Sequence, residues 1–191
     1  SENIQDVFNQ KILIVGLGGI GKKMTKICKA MGMEISVIKK NANTVPSFIK
    51  KVLKLGNLKE AVKDIDYVVN ILPLTEKTNN IFNKNIFKSM KKTSFFINVG
   101  RGGTVNEKDL LSAIKTNKIL GAALDVMKEE PVKIKSPFLK QKNVIITPHI
   151  AGVTNNYWPD QFSLFSENLL RYKKKLKLAN LKNFSNLKEG Y

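Results

Sequence analysis

The stretch Lys11–Gly21, KILIVGLGGIG, constrains this chain more than any other. Lys11 to Val15 is a short apolar run that ends on glycine, which predicts a buried strand. Gly16, Gly18 and Gly21 then follow in the spacing G-x-G-x-x-G, and KKMTKICKAMG continues with helical periodicity. In such a unit the first glycine permits a tight turn and the second admits an anion close to the backbone. The third lets the helix pack against the strand. The helix N-terminus, with its outward N–H groups, then faces the anion. Gly16, Gly18, Gly19, Ile20 and Gly21 are therefore expected to hold the pyrophosphate of a dinucleotide.

The remaining chain repeats the alternation. Met24, Ile27, Cys28 and Met31 are predicted to share one face of the first helix, which Gly32 stops. MEISVIKK reads as a second strand, NLKEAVKDI as a short helix and DYVVNILP as a third strand. FNKNIFKSM is helical, and TSFFINVG is a fourth strand. Asn106 predicts an N-cap for a helix through Ile114, with Asp109 as its capping-box acid. KILGAALDVM and NVIITPH are two more apolar runs. The segment DQFSLFSENLLRYKKKL carries Phe162, Phe165, Leu169, Tyr172 and Leu176 at helical spacing, with Lys173 to Lys175 at its C-terminal dipole end. Strands that are apolar throughout, alternating with helices, imply a parallel sheet covered on both faces, hence a doubly wound α/β domain. Residues 1–158 are assigned to a dinucleotide-binding domain and 159–191 to a C-terminal helix and tail.

Charge narrows the partners. The 33 Lys and Arg against 15 Asp and Glu leave a net +18. Arg101 and Arg171 are the only arginines, so 31 of the basic residues are Lys, and the pairs Lys22–Lys23, Lys39–Lys40, Lys50–Lys51 and Lys91–Lys92 are scattered. Base readout favours the Arg fork, and A-rich codons alone produce a Lys and Asn bias, so nucleic acid is not expected as a partner. No apolar run reaches the roughly 20 residues of a membrane span. A single cysteine, Cys28, excludes an intrachain disulfide framework and suits a reducing, cytoplasmic setting. The charge should still draw small anions to a concave site. At the end of the second strand, where an acid normally bonds the adenine ribose, stand Lys39 and Lys40. Cations there favour a 2′-phosphate, so NADP(H) is expected over NAD(H), which stays possible.

Three residues with chemistry to offer follow predicted strands. Arg101 lies in the glycine-rich turn NVGRGG, Glu130 follows LDVMKE, and His149, the only histidine, ends ITPH. All three fall at carboxyl ends, where open α/β sheets bind ligands. A guanidinium can grip a carboxylate bidentately. A carboxylate beside an imidazole raises its pKa and fixes its tautomer. Such a set suits reduction of a small 2-keto acid: Arg101 binds the carboxylate, and His149 gives a proton as hydride arrives from a nicotinamide. No metal is called for.

The segments GLGGIG, NILPLTEKT, INVGRGGTVNEKDL, GAALDVMKEEP and TPHIAG, in this order, resemble the D-isomer-specific 2-hydroxyacid dehydrogenases over about residues 7–191. The tail is similar to the glyoxylate/hydroxypyruvate reductase-like branch. The resemblance implies a Rossmann-like fold and Arg101, Glu130 and His149 as the substrate-binding and proton-transfer set. It also implies that Asp125 lies near the nicotinamide carboxamide, that Val99, Gly100 and Ala151 line the cofactor cleft, and that Leu72, Pro73 and Thr78 border the adenosine side. Members usually form homodimers through the cofactor domain. They also carry a substrate domain before the first strand, for which this chain has almost no residues. The expectation is therefore a cofactor-binding domain that turns over poorly by itself, with exposed apolar surface at Phe162 or Phe165. A dinucleotide-sensing interaction protein without turnover stays open, as do phosphonate or formate oxidation on the same scaffold.

Overall fold

The computed structural model describes residues 6–40, 45–174, 177 and 181–183, and it divides into two compact units, Ser1–Pro148 and His149–Tyr191. In the first unit, seven strands form one sheet: β1 Lys11–Val15, β2 Glu34–Ile38, β3 Lys51–Leu53, β4 Tyr67–Asn70, β5 Phe95–Asn98, β6 Gly121–Leu124 and β7 Val144–Ile146. Their order is β3-β2-β1-β4-β5-β6-β7, and every pairing is parallel. The chain winds outward from β1 to β3, then returns to β4 and winds the other way. The doubly wound expectation holds, and the reversal between β1 and β4 is a topological switch point, which opens a crevice at their carboxyl ends.

β1 shows why these strands are apolar throughout. Successive side chains point to opposite faces. Leu13 and Val15 join one buried cluster, with Phe82, Phe87, Phe96 and Leu110, while Ile12 and Ile14 join another, with Cys28, Ile35 and Val69. Helix α1, Gly19–Ala30, contributes Cys28 to the second cluster. α2 Leu58–Ala61, α3 Lys84–Ser89 and α4 Glu107–Lys115 contribute to the first. Phe96 is fully buried, with its ring 4.9 Å from Phe82 and 5.3 Å, edge-on, from Phe87.

Three local expectations are revised. β3, the short KVL at the sheet edge, was not anticipated. The inward face of α1 is Gly21, Thr25 and Cys28, whereas Ile27 and Met31 are exposed. The close approach of Gly21 to the glycine turn sets the helix's rotation and overrides its apolar stripe. Asn106 does cap α4, accepting from Asp109 N at 3.2 Å. The return half of the capping box is not made: Asp109 accepts from Lys84 N at 2.8 Å, and Asn106 N donates to the Phe82 carbonyl. Asn83 caps α3 by accepting from Asn85 N.

The second unit centres on α5, Tyr157–Lys173, three residues earlier than expected. Glu167 on α5 pairs with Arg171 at 2.8 Å and Lys182 at 2.7 Å, and these two cations hold its carboxyl below the usual range. Asn168 binds the Lys182 backbone through both ends of its amide. Trp158, Phe162 and Phe165 are exposed. Lys175 and Leu176 lie outside the described residues. No helix among the described residues is long and apolar enough to cross a membrane.

The packing separates two neighbouring kinds of substitution. Phe96→Ala should cost about 3–5 kcal/mol in urea denaturation, while Ile27→Ser should change stability by less than about 0.5 kcal/mol. A large loss from Ile27→Ser would show that α1 faces inward with its apolar stripe after all.

Candidate functional site

The glycines after β1 divide into two kinds. A Cβ on Gly21 would lie 2.2 Å from the Gly16 carbonyl oxygen, so the protein's own packing demands glycine there. Gly16 has φ +111° and faces the Ile71 backbone at the switch point, so it too is required by the fold. Gly18 and Gly19 are different: an added Cβ would meet nothing within 4 Å, and both have ordinary backbone angles. Space therefore stands open over the N-terminus of a twelve-residue helix with no acid in its first turn. That is the shape and electrostatics of a phosphate cradle, and the residues present fit a dinucleotide. Ile20 is exposed beside it. Lys39, partly buried, follows β2 and donates its backbone N–H to the Leu53 carbonyl, and Lys40 is exposed.

The loops after β4, β5 and β6 meet at the same edge of the sheet. Leu72 and Pro73 follow β4 and are partly exposed. Thr78 is buried; its hydroxyl donates to the Pro73 carbonyl at 2.7 Å and accepts from Thr75 N at 2.8 Å, so it shapes the loop. Val99 is partly buried, and Gly100 packs so closely on Leu72 that a Cβ would lie 2.6 Å from the Leu72 carbonyl oxygen. Arg101 comes next, exposed, with Nη1 donating to the Gly100 carbonyl at 2.8 Å. In the 3₁₀ turn Gly102–Thr104, a Cβ on Gly102 would sit 2.0 Å from the Met127 backbone. Met127 N donates to Glu130 Oε1 at 2.9 Å, and Glu130 precedes a cis proline. The backbone contact that carries Arg101 thus also carries the segment holding Glu130. Asp125 is buried at the end of β6 and accepts from the Thr147 hydroxyl at 2.6 Å.

His149 opens the second unit. It is exposed, and its φ of 55° places a non-glycine residue in the left-handed region. That conformation costs of order 1 kcal/mol and is enriched at functional sites. Ile150 and Ala151 follow it, both exposed.

Sequence reasoning missed one feature of the first unit. Asn70, Asn98 and Thr104 are buried polar residues at the carboxyl edge, and they bond to one another. Their signal was available: VVN and FIN end neighbouring strands on the same polar residue, and Asn70 and Asn98 are partners in register.

Comparison with known proteins gives the same outline. Residues 1–151 match the family model described as D-isomer specific 2-hydroxyacid dehydrogenase, NAD binding domain. A glyoxylate reductase of Thermococcus kodakarensis is 33% identical over 169 residues, covering 88% of this chain and 50% of the relative. A glyoxylate/hydroxypyruvate reductase B of Enterobacter is 32% identical, covering 86% of this chain and 51% of the relative. The NADPH-dependent glyoxylate/hydroxypyruvate reductase of Sinorhizobium meliloti, solved with NADP and sulfate, superposes with a TM-score of 0.89 at 26% identity, over 100% of this chain and 60% of that one. The chain spans about half the length of the curated relatives it matches.

The two kinds of glycine should separate on mutation. Gly18→Ala should leave stability within about 0.5 kcal/mol of wild type and weaken dinucleotide binding at least about tenfold, since a methyl would stand in the open space. Gly21→Ala should lower stability by about 3 kcal/mol, from overpacking against backbone. Thermal denaturation and calorimetric titration read both; undiminished binding by Gly18→Ala would contradict the cradle.

Proposed function

This chain belongs to the D-isomer specific 2-hydroxyacid dehydrogenase family as its nicotinamide-dinucleotide-binding domain, and from that premise we propose that the whole protein reduces a small 2-keto acid, glyoxylate- or hydroxypyruvate-like, to the 2-hydroxy acid. The observation that carries the reading is Arg101, one of two arginines in a chain of 31 lysines, held at the sheet's carboxyl edge beside an open glycine cradle. Its planar fork suits a carboxylate where a lysine point charge would not.

In this reading a bound nicotinamide supplies the hydride. Arg101 binds the substrate carboxylate and polarises the ketone, which orients the acceptor carbon. His149 gives its proton to the carbonyl oxygen; in the oxidative direction the neutral imidazole takes it back. Glu130 is the carboxylate of the set. Its backbone-bonded Oε1 fixes the direction of the side chain. Asp125, buried and bonded to Thr147, belongs to the nicotinamide end of the cleft, with Val99 and Gly100. Gly16, Gly18, Gly19, Ile20 and Gly21 take the pyrophosphate, Leu72, Pro73 and Thr78 border the adenosine, and Ala151 lines the cleft.

NADP(H) is the preferred cofactor in this proposal. Lys39 and Lys40 stand just after β2, where a 2′-phosphate would meet positive charge. The Sinorhizobium meliloti relative, described with NADP, supports the choice.

Two measurements on the whole protein test this reading. With glyoxylate and NADPH, His149→Gln should lower kcat at least about 100-fold while leaving the NADPH dissociation constant within about twofold. Unchanged turnover would remove His149 from the mechanism. Wild type should bind NADPH more tightly than NADH, and Lys39→Asp should erase or reverse that order; equal or tighter NADH binding by wild type would contradict the assignment.

A further inference from the structure

Three buried polar side chains meet where β4 and β5 end: Asn70, Asn98 and Thr104, each no more than 1% exposed. Asn70 Nδ2 donates to Asn98 Oδ1 at 2.8 Å and to the Thr104 hydroxyl at 2.7 Å. Each asparagine also accepts from the backbone two residues ahead: Asn70 Oδ1 from Leu72 N at 3.2 Å, and Asn98 Oδ1 from Gly100 N at 3.1 Å. Two Asx turns thus stand side by side on register partners, joined by the hydrogen bond between their side-chain amides. The Thr104 hydroxyl donates its own proton to the Arg101 carbonyl at 2.6 Å, which Asn98 Nδ2 also approaches at 3.4 Å.

An apolar trio of similar volume would take these partners from the Leu72 and Gly100 N–H groups and from the Arg101 carbonyl. What the polar trio adds is direction. The side-chain bonds that leave it end on backbone of the two loops that border the proposed cleft, at Leu72, Gly100 and Arg101. Gly100 is also the residue whose carbonyl receives the Arg101 guanidinium. A buried hydrogen-bonded network specifies one arrangement of the groups it binds, and here the Gly100 N–H and the Arg101 carbonyl bracket the Gly100 carbonyl that receives the guanidinium.

We propose that Thr104, joined to Asn70 and Asn98, is a positioning residue that sets the pose of the Arg101 guanidinium and so the grip on a substrate carboxylate. Thr104 touches neither substrate nor cofactor; it acts through the Arg101 carbonyl. The catalytic part of the inference rests on the keto-acid reading, whereas the pose of Arg101 does not.

The chain's two arginines make the pose directly observable, because ¹⁵N labelling of arginine gives one Nε–H signal from Arg101 and one from Arg171. Arg171, paired with Glu167, is the internal control. Thr104→Val, which keeps the shape and removes the hydroxyl, should move the Arg101 signal towards the position of a solvated arginine and leave Arg171 unmoved. Thr104→Ser should restore it. In the whole protein, Thr104→Val should raise KM for glyoxylate about tenfold, as misplacement of a binding group does, with the NADPH dissociation constant within about twofold; Thr104→Ser should again recover wild-type behaviour. An Arg101 signal that is the same in wild type and Thr104→Val overturns the proposal, as does a fall in NADPH affinity parallel to the rise in KM. Should Thr104→Val not fold, Asn70→Leu is read by the Arg101 signal alone, because Asn70 also holds Leu72 N. Absent glyoxylate turnover by wild type sinks the keto-acid reading, and intact turnover by Arg101→Gln sinks the carboxylate grip of Arg101, while the Arg101 signal still decides the positioning role.

Discussion

The approach of Gly21 to the Gly16 carbonyl is the contact on which the rest of the first unit depends. With 2.2 Å between that oxygen and the place a Cβ would occupy, only glycine lets the first turn of α1 sit on the end of β1. The contact fixes where the helix begins and which way it is rotated. It also aims the helix N-terminus over the crevice at the switch between β1 and β4. Gly16 meets the Ile71 backbone on the other side of that switch, so strand, turn, helix and the exit of β4 are settled together.

From there the carboxyl edge is assembled by close backbone approaches rather than by side-chain packing. Gly100 lies on Leu72 and Gly102 on Met127. Lys128 reinforces the junction, with its backbone N–H on Glu107 and its ammonium on Asn80. Three loops from three strands are thereby held at fixed spacing beside an open cradle. This division of labour explains why the edge tolerates no side chain at Gly21, Gly100 or Gly102 yet leaves Gly18 and Gly19 in free space. The first set is demanded by the protein's own backbone, whereas the second meets nothing within 4 Å.

Much of this was legible in the sequence because the relevant signals are local. KILIVGLGGIG announces strand, turn and helix, and the apolar character of VVN, FFIN and GAAL announces a sheet buried on both faces. β3 escaped because KVL lies among lysines and becomes a strand only by pairing with β2, where Leu53 and Val52 meet the two cores. The rotation of α1 escaped because apolar spacing favours Ile27 and Met31, while the deciding contact is glycine against backbone. The capping box escaped in half because Asp109 serves a neighbouring helix, a tertiary choice that no spacing records. The asparagine–threonine trio escaped because a polar residue ending an apolar strand reads as the strand's end rather than as a buried contact.

The central claim is that the carboxyl edge at this switch point is a dinucleotide cradle built by the glycine turn and completed by the loops after β4 and β5. Amide hydrogen exchange with and without saturating NADPH tests it most directly, because it maps contact on the unaltered chain. The account predicts new protection at Gly18 to Gly21, at Leu72 and at Val99 to Gly100, with the amino-terminal edge of the sheet unchanged. Protection confined to other segments, or none at saturating NADPH, would contradict it.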